Sequence, residues 1–254
     1  MLQDILQADF FAFFLVFARV GSAIMLIPGL GESFVTVRIR LMIALGISLV
    51  VVPIVAKTLP GLPASPIELF LLLGGEVLVG LFIGAMARFL FFALETAGMI
   101  MAYQTGIANA LTSDPTAASQ GALFSAFFGI LGIVVIFETN LHQLMLKAVV
   151  DSYTLFTPGH MPPFDDFSNT AARIVADSFD LSMRMAAPFL VVGLVFYLGL
   201  GLLGRLMPQV QVFFIVLPLQ IAVGLIVLMI TVVAAMTWFM GAFGDEITNV
   251  FVRG

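Results

Sequence analysis

Glu76, Gly80, Gly84 and Arg88 recur every fourth residue, so on a helix they form one slowly drifting stripe. The stripe offers a carboxylate, two positions without a side chain and a guanidinium in an otherwise apolar segment. Two kinds of chemistry suit it. One is an ion or proton relay. The plainer one is a packing contact in which neighbouring helices satisfy both charges, with Gly80-Leu81-Phe82-Ile83-Gly84 as a small-xxx-small face. About 18 Å of helix axis separates Glu76 from Arg88, so they cannot pair and each needs another partner. A charge at the bilayer centre costs roughly 3 kcal/mol on insertion scales. Arg19, which follows Phe10, Phe11, Phe13, Phe14 and Phe17, poses the same problem. It snorkels, pairs with a nearby carboxylate, or lines a pathway. Glu138 and His142 lie about one helical turn apart and could shuttle a proton or hold a metal. The only other histidine, His160, sits in a proline-rich loop, so a solvated loop-end pair is the plainer reading. No nucleophile elbow, phosphate loop or dinucleotide fingerprint occurs. The sequence therefore predicts no catalytic residue, no metal site, no cofactor and no enzymatic activity.

The elements that carry these residues are greasy. The chain is 61% hydrophobic and 10% charged, against about 25% charged in soluble domains, and this predicts an all-α, multi-helix integral membrane protein. Zero cysteines exclude disulfides and thiolate metal sites, and a net charge of −5 without a basic tract argues against nucleic acid. From Leu206 to Gly244, 39 residues pass without an ionisable side chain. A span needs about 20, so this run should break, with Pro208 and Pro218 as the break points. Six apolar segments are predicted: Phe10–Ile27, Leu41–Ala56, Leu69–Leu94, Gly121–Phe137, Leu181–Leu203 and Pro218–Phe243. Met99–Leu111 is a weaker seventh, read as a partly buried or re-entrant piece. Asp4 and Asp9 precede the first basic residue, which predicts a retained helix rather than a cleavable signal.

The connections carry information too. Pro28-Gly29-Leu30-Gly31-Glu32 is a turn-rich link, and Asp151 to Asp180 is the longest polar stretch. Arg38, Arg40 and Arg205 mark the cytoplasmic side, which with six spans puts both chain ends outside. Gly121, Ser125 and Gly129, and Gly193 with Gly201, are further small-residue faces for close helix packing, within the chain or between chains. Gly106 to Gln120 is small and polar between two apolar runs, and Asp114-Pro115 should break any helix there. It reads equally as a solvent loop or as a loop lining or plugging a pathway.

The order and spacing of these motifs resemble the FliR family of flagellar export-gate proteins, whose injectisome relatives are the SctT/SpaR proteins. The resemblance spans the whole chain. It is carried by Arg19-Val20-Gly21, Pro28 to Glu32, Arg38-Ile39-Arg40-Leu41 with Pro53, and Gly75-Glu76 with Gly80 and Gly84. It continues through Gly98, Gln104, Gly106, Asp114-Pro115, Gln120, Asp151-Ser152-Tyr153, Ala187-Pro188 and Arg205 to Phe213, ending at Pro218. Two details depart: Asn140-Leu141-His142 stands where the family often has Asn-Gly-His, and Gln211 where it often has Asn.

The resemblance implies a non-catalytic subunit of the bacterial inner membrane and flagellar basal body. It would complete and seal a protein-conducting pore for unfolded export substrates. Its expected companions are FliP-like and FliQ-like subunits, FlhB and FlhA, besides membrane lipid. Residues 1–180 would be FliP-like and 181–254 a FliQ-like helical hairpin with a short tail. Gly106, Ile107, Asn109, Leu111, Asp114, Pro115 and Gln120 would belong to a pore or plug loop. Arg19, Glu76, Gly80, Gly84, Arg88, Arg205, Pro208, Gln209 and Phe213 would contact other subunits, which would neutralise the buried charges. An injectisome subunit is the nearest alternative. A small secondary transporter, with broken helices and midplane charges, is the rival from another class.

Overall fold

The computed structural model describes residues 2–63, 65–107, 122–159, 164–206 and 212–251. Among these residues seven helices occur and no strand. They are α1 (Leu2–Leu26), α2 (Val37–Val55), α3 (Pro66–Gln104), α4 (Ala122–Glu138), α5 (Leu141–Leu155), α6 (Phe164–Leu206) and α7 (Val212–Phe251). Five of them (α1, α2, α3, α6 and α7) are long and apolar enough to cross a membrane, and α4 with α5 makes a sixth candidate only as a broken pair.

Each predicted apolar segment coincides with a helix to within one residue or lies inside a longer one, and α1, α2, α3, α6 and α7 are longer than their segments. The six residues Met99 to Gln104 continue α3 instead of forming a separate piece, and a turn at Thr105 and Gly106 ends it. Pro218 does not break the last run: it lies inside α7, as Pro188 lies inside α6 and Pro53 inside α2. Proline removes one rung of the ladder, yet in apolar surroundings the other backbone groups have no better partner than their own helix. Pro208 lies outside the described residues. The polar stretch from 151 to 180 is not one loop, because it holds the end of α5 and the start of α6.

The chain forms two compact units: Met1–Leu90 with Ile136–Val175 and Phe243–Gly254, and Phe91–Val135 with Ala176–Ala242. The boundary expected after residue 180 falls inside α6.

In the first unit α1 buries Phe11, Leu15, Val16, Arg19, Val20, Ala23 and Ile24, a face of helical period. Helix α5 does the same with Met145, Ala148, Val149, Ser152 and Tyr153. The link from α1 to α2 turns on Gly29 at φ +86°. Arg40 closes it, donating from Nε to Val35 O at 3.1 Å and from Nη2 to Glu32 O at 3.0 Å. Between α4 and α5 the chain breaks at Asn140, whose φ of +60° is the one left-handed non-glycine backbone among the described residues.

The second unit buries Phe91, Leu94, Ala97 and Met101 of α3, Phe124 and Phe128 of α4, Met185 and Phe189 of α6, and Met236 and Phe239 of α7. Ser125 Oγ donates to Glu95 O at 2.8 Å, which ties α4 to α3. Gly98 admits this contact, since a Cβ there would sit 2.8 Å from the Phe124 carbonyl.

Candidate functional site: a buried ion pair and a capped helix end

The stripe on α3 meets α1 of the same chain along its whole length. Glu76 takes both ends of a fork from Arg19, with Nε to Oε2 at 2.6 Å and Nη2 to Oε1 at 2.9 Å. A Cβ on Gly80 would collide with Ser22 Oγ and Arg19 O. One on Gly84 would lie 2.7 Å from Ala23 O and 2.8 Å from Leu26 Cβ. Arg88 pairs with Glu32 just beyond the end of α1. Partners rise together in both helices, so α1 and α3 run side by side in the same direction.

Arg19 and Glu76 are both buried, at 1% and 2% exposure, which makes the rest of their environment decisive. Arg19 Nη1 donates to Ser152 Oγ at 3.1 Å and Nη2 to Phe156 O at 2.9 Å. The Tyr153 ring lies under the guanidinium, 3.9 Å from its carbon. A bidentate pair with further hydrogen bonds and an aromatic face is the arrangement that offsets the desolvation of two charges. Glu76 and Arg19 also line a cavity of about 610 Å³ with Leu71, Leu72, Gly75 and Phe156.

This corrects one expectation. Arg19, Glu76 and Arg88 each have an oppositely charged partner within the chain, so their charges do not need sister subunits to be offset. Fifty-seven residues separate Arg19 from Glu76 in sequence, and helical spacing cannot show a contact of that range. The relation between Glu76 and Arg88 was legible: each has another partner, and the glycines between them are a packing face.

In the second unit the end of α3 forms a neutral polar cluster. Gln220 of α7 donates from Nε2 to Gln104 O at 2.8 Å and to Tyr197 Oη at 3.3 Å. Gly106, at φ +72°, turns the chain beside it. Gly193 of the predicted small-residue pair packs on Gln104, whereas Gly201 faces open space. Gly106 and Ile107 of the predicted loop are described; Asn109, Leu111, Asp114, Pro115 and Gln120 lie outside the described residues. So do Pro208 and Gln209 of the predicted contact set. Phe213 falls on the first turn of α7, and Arg205 is exposed on the last turn of α6.

Glu138 is exposed, and His142 stacks its ring on Phe137 with centroids 4.9 Å apart. Sequence reasoning missed Gln220 and Tyr197, although a signal existed: a glutamine in a charge-free run must find a partner.

Long apolar helices locked by a buried ion pair and by glycine-mediated contacts define a multi-pass helical membrane protein. Comparison with known proteins refines that class. The model of the bacterial export proteins, family 1, matches residues 10–245, and the chain belongs to that family. The flagellar biosynthetic protein FliR of Caulobacter vibrioides is 38% identical over 232 residues, covering 88% of this chain and 90% of that protein. The FliR protein of Bacillus subtilis is 30% identical over 224 residues, 86% of this chain and 85% of the relative. The Yop proteins translocation protein T of Yersinia pestis is 28% identical over 237 residues, 91% and 89% of the two chains.

Proposed function

We propose that this chain is one subunit of a type III protein-export gate in the bacterial inner membrane, at the base of the flagellum. Its role is to complete and seal a pore through which unfolded substrates pass, with no covalent chemistry of its own. Its companions are FliP-like and FliQ-like subunits, FlhB and FlhA. Residues 1–180 act as the FliP-like part and 181–254 as the FliQ-like hairpin.

Family membership over nearly the full length carries this reading. The helices support it physically. Helix α7 has 40 residues, about 60 Å at 1.5 Å per residue, and the hydrocarbon core is about 30 Å thick. Only 17% of its most apolar stretch is buried within the chain. Apolar surface on that scale requires protein beyond lipid, and partner subunits supply it. The link from Arg205 through Pro208 and Gln209 to Phe213 holds partners directly. Arg19, Glu76, Gly80, Gly84 and Arg88 contribute by fixing α1 on α3. The loop from Gly106 to Gln120 plugs the resting pore.

The Yersinia relative makes an injectisome gate the second reading, and the higher identity to the Caulobacter flagellar protein favours the first. Co-expression with the companion subunits and native mass measurement test the assignment. One copy or more in a hetero-oligomer is expected; a stable lone monomer that ignores the companions overturns it. Deletion of residues 110–117 should raise ion leak through the assembled gate, and an unchanged leak rejects the plug.

A further inference from the structure

The cavity beside the ion pair has a floor, walls and a mouth of different chemistry. Arg19 and Glu76 form the floor, and they satisfy each other. The walls are apolar: Phe70, Leu71 and Leu78 of α3 line the space and are exposed on the helix. Gly74 and Gly75 make the room, since a Cβ on either would meet nothing within 4 Å. The mouth lies between two non-helical links, at Pro60 and Pro63 before α3 and at Thr157 and Gly159 after α5.

Non-helical backbone that faces lipid belongs at headgroup depth, because hydrocarbon offers its N–H and C=O groups no partner. The cavity therefore opens at the membrane surface and runs down α3. Glu68 stands at its top and Glu76 at its bottom, about 12 Å apart along the helix axis. That is most of one leaflet of a hydrocarbon core about 30 Å thick. A volume of about 610 Å³ is that of an ordinary ligand pocket, roughly 300–1,000 Å³. Water filling it would face apolar walls with few polar partners. An acyl chain enters at almost no cost of transfer, because lipid is already its solvent.

Charge selects the headgroup. Glu68, in the first turn of α3, is exposed and has no ion-pair partner among the described residues. Arg19, the cation in the lining, is occupied by Glu76, Ser152 and Phe156. Such a rim attracts a cationic amine and repels a purely anionic headgroup.

We propose that this cavity holds one acyl chain of a phospholipid whose headgroup carries a cationic amine, with the amine beside Glu68. The chain keeps water from the Arg19–Glu76 pair, and the bound lipid thereby strengthens the hold of α1 on α3.

The chain, purified from the membrane with the subunits it holds, is placed in vesicles of phosphatidylethanolamine and phosphatidylglycerol. A trace of phosphatidylethanolamine carries a photoreactive group in the distal half of one acyl chain. Illumination should label Val79, which lines the cavity yet is 3% exposed, as well as the exposed Phe70. Gly75→Leu fills the space with protein and should abolish the label on Val79 while Phe70 keeps its own. Gly74→Leu serves the same end should Gly75→Leu fail to assemble. A label on Val79 that survives filling, or never appears in the assembled complex, overturns the site. The second result would leave the space to side chains of a neighbouring subunit. Glu68→Gln should lower the Val79 label about two- to fivefold, the scale of one exposed charge pair. Phosphatidylglycerol carrying the same group should label the parent as weakly, and equal labelling by the two lipids overturns the amine headgroup. Stripping lipid with detergent should lower the unfolding midpoint of the parent more than that of Gly75→Leu, whose own side chain keeps the cavity dry. Equal losses reject the drying role.

Discussion

The two units solve one problem with different chemistry. Each packs helices closely in a setting without water, and each must satisfy polar groups there. The first uses charge: Arg19 and Glu76 are buried and hydrogen-bonded to each other, and the Arg19 guanidinium stacks on Tyr153. The second uses a neutral amide, Gln220, on a carbonyl and a phenol. Glycines permit the approach in both, at Gly80 and Gly84 in one and at Gly193 and Gly224 in the other. The difference lies in reversibility. Breaking a buried ion pair leaves an unpaired charge and costs several kcal/mol, whereas a hydrogen bond from a neutral amide is worth about 1 kcal/mol net. The charged unit is suited to permanence and the neutral one to movement.

The sharpest way to break this contrast is Arg19→Leu. It removes the cation that Glu76 pairs with, and about 3–5 kcal/mol of stability should vanish. Thermal unfolding of the purified gate, or its yield, reads this; a variant as stable as the parent would show that the first unit is not held by charge. Gly80→Leu is next. The side chain would displace α1 from α3, with a loss of about 1–3 kcal/mol in the same assay, and an unchanged midpoint would reject the close approach. Gly106→Ala tests the second unit at lower cost. An L side chain in left-handed backbone is disfavoured by roughly 1–2 kcal/mol, so leak should rise while unfolding of the whole gate shifts little. Equal shifts in both readouts would erase the proposed division of labour. The smallest effect belongs to Arg184→Ala. Its partner Asp180 is one turn away at 2.7 Å, but both side chains are more than half exposed. The change should stay within about 0.5 kcal/mol, and a larger loss would mean that the pair is covered in the assembled gate.

Much of this was legible in the sequence. Hydropathy placed the spanning helices, because an apolar run has nowhere else to go. Four-residue spacing identified the α3 stripe as a packing face, because spacing alone sets which residues share a side of a helix. What covers that face was not legible: Arg19 and Glu76 look like two isolated costs until the fold brings them together. Helix α5 was missed as an element because it is amphipathic. Its buried face of Met145, Ala148, Val149, Ser152 and Tyr153 alternates with polar residues and never forms an apolar run. Pro218 misled because proline weakens a helix by one bond, and in apolar surroundings one missing bond does not end it.

The corner between α4 and α5 has its own consequence. Asn140 alone adopts the left-handed backbone, and Leu141 is already helical. The bend is therefore drafted by a single letter of the chain, and the next letter needs no left-handed backbone of its own. Leu141 takes ordinary helical backbone, which a leucine adopts without strain, whereas a valine at position 140 would put a branched side chain in the cramped quadrant that asparagine tolerates.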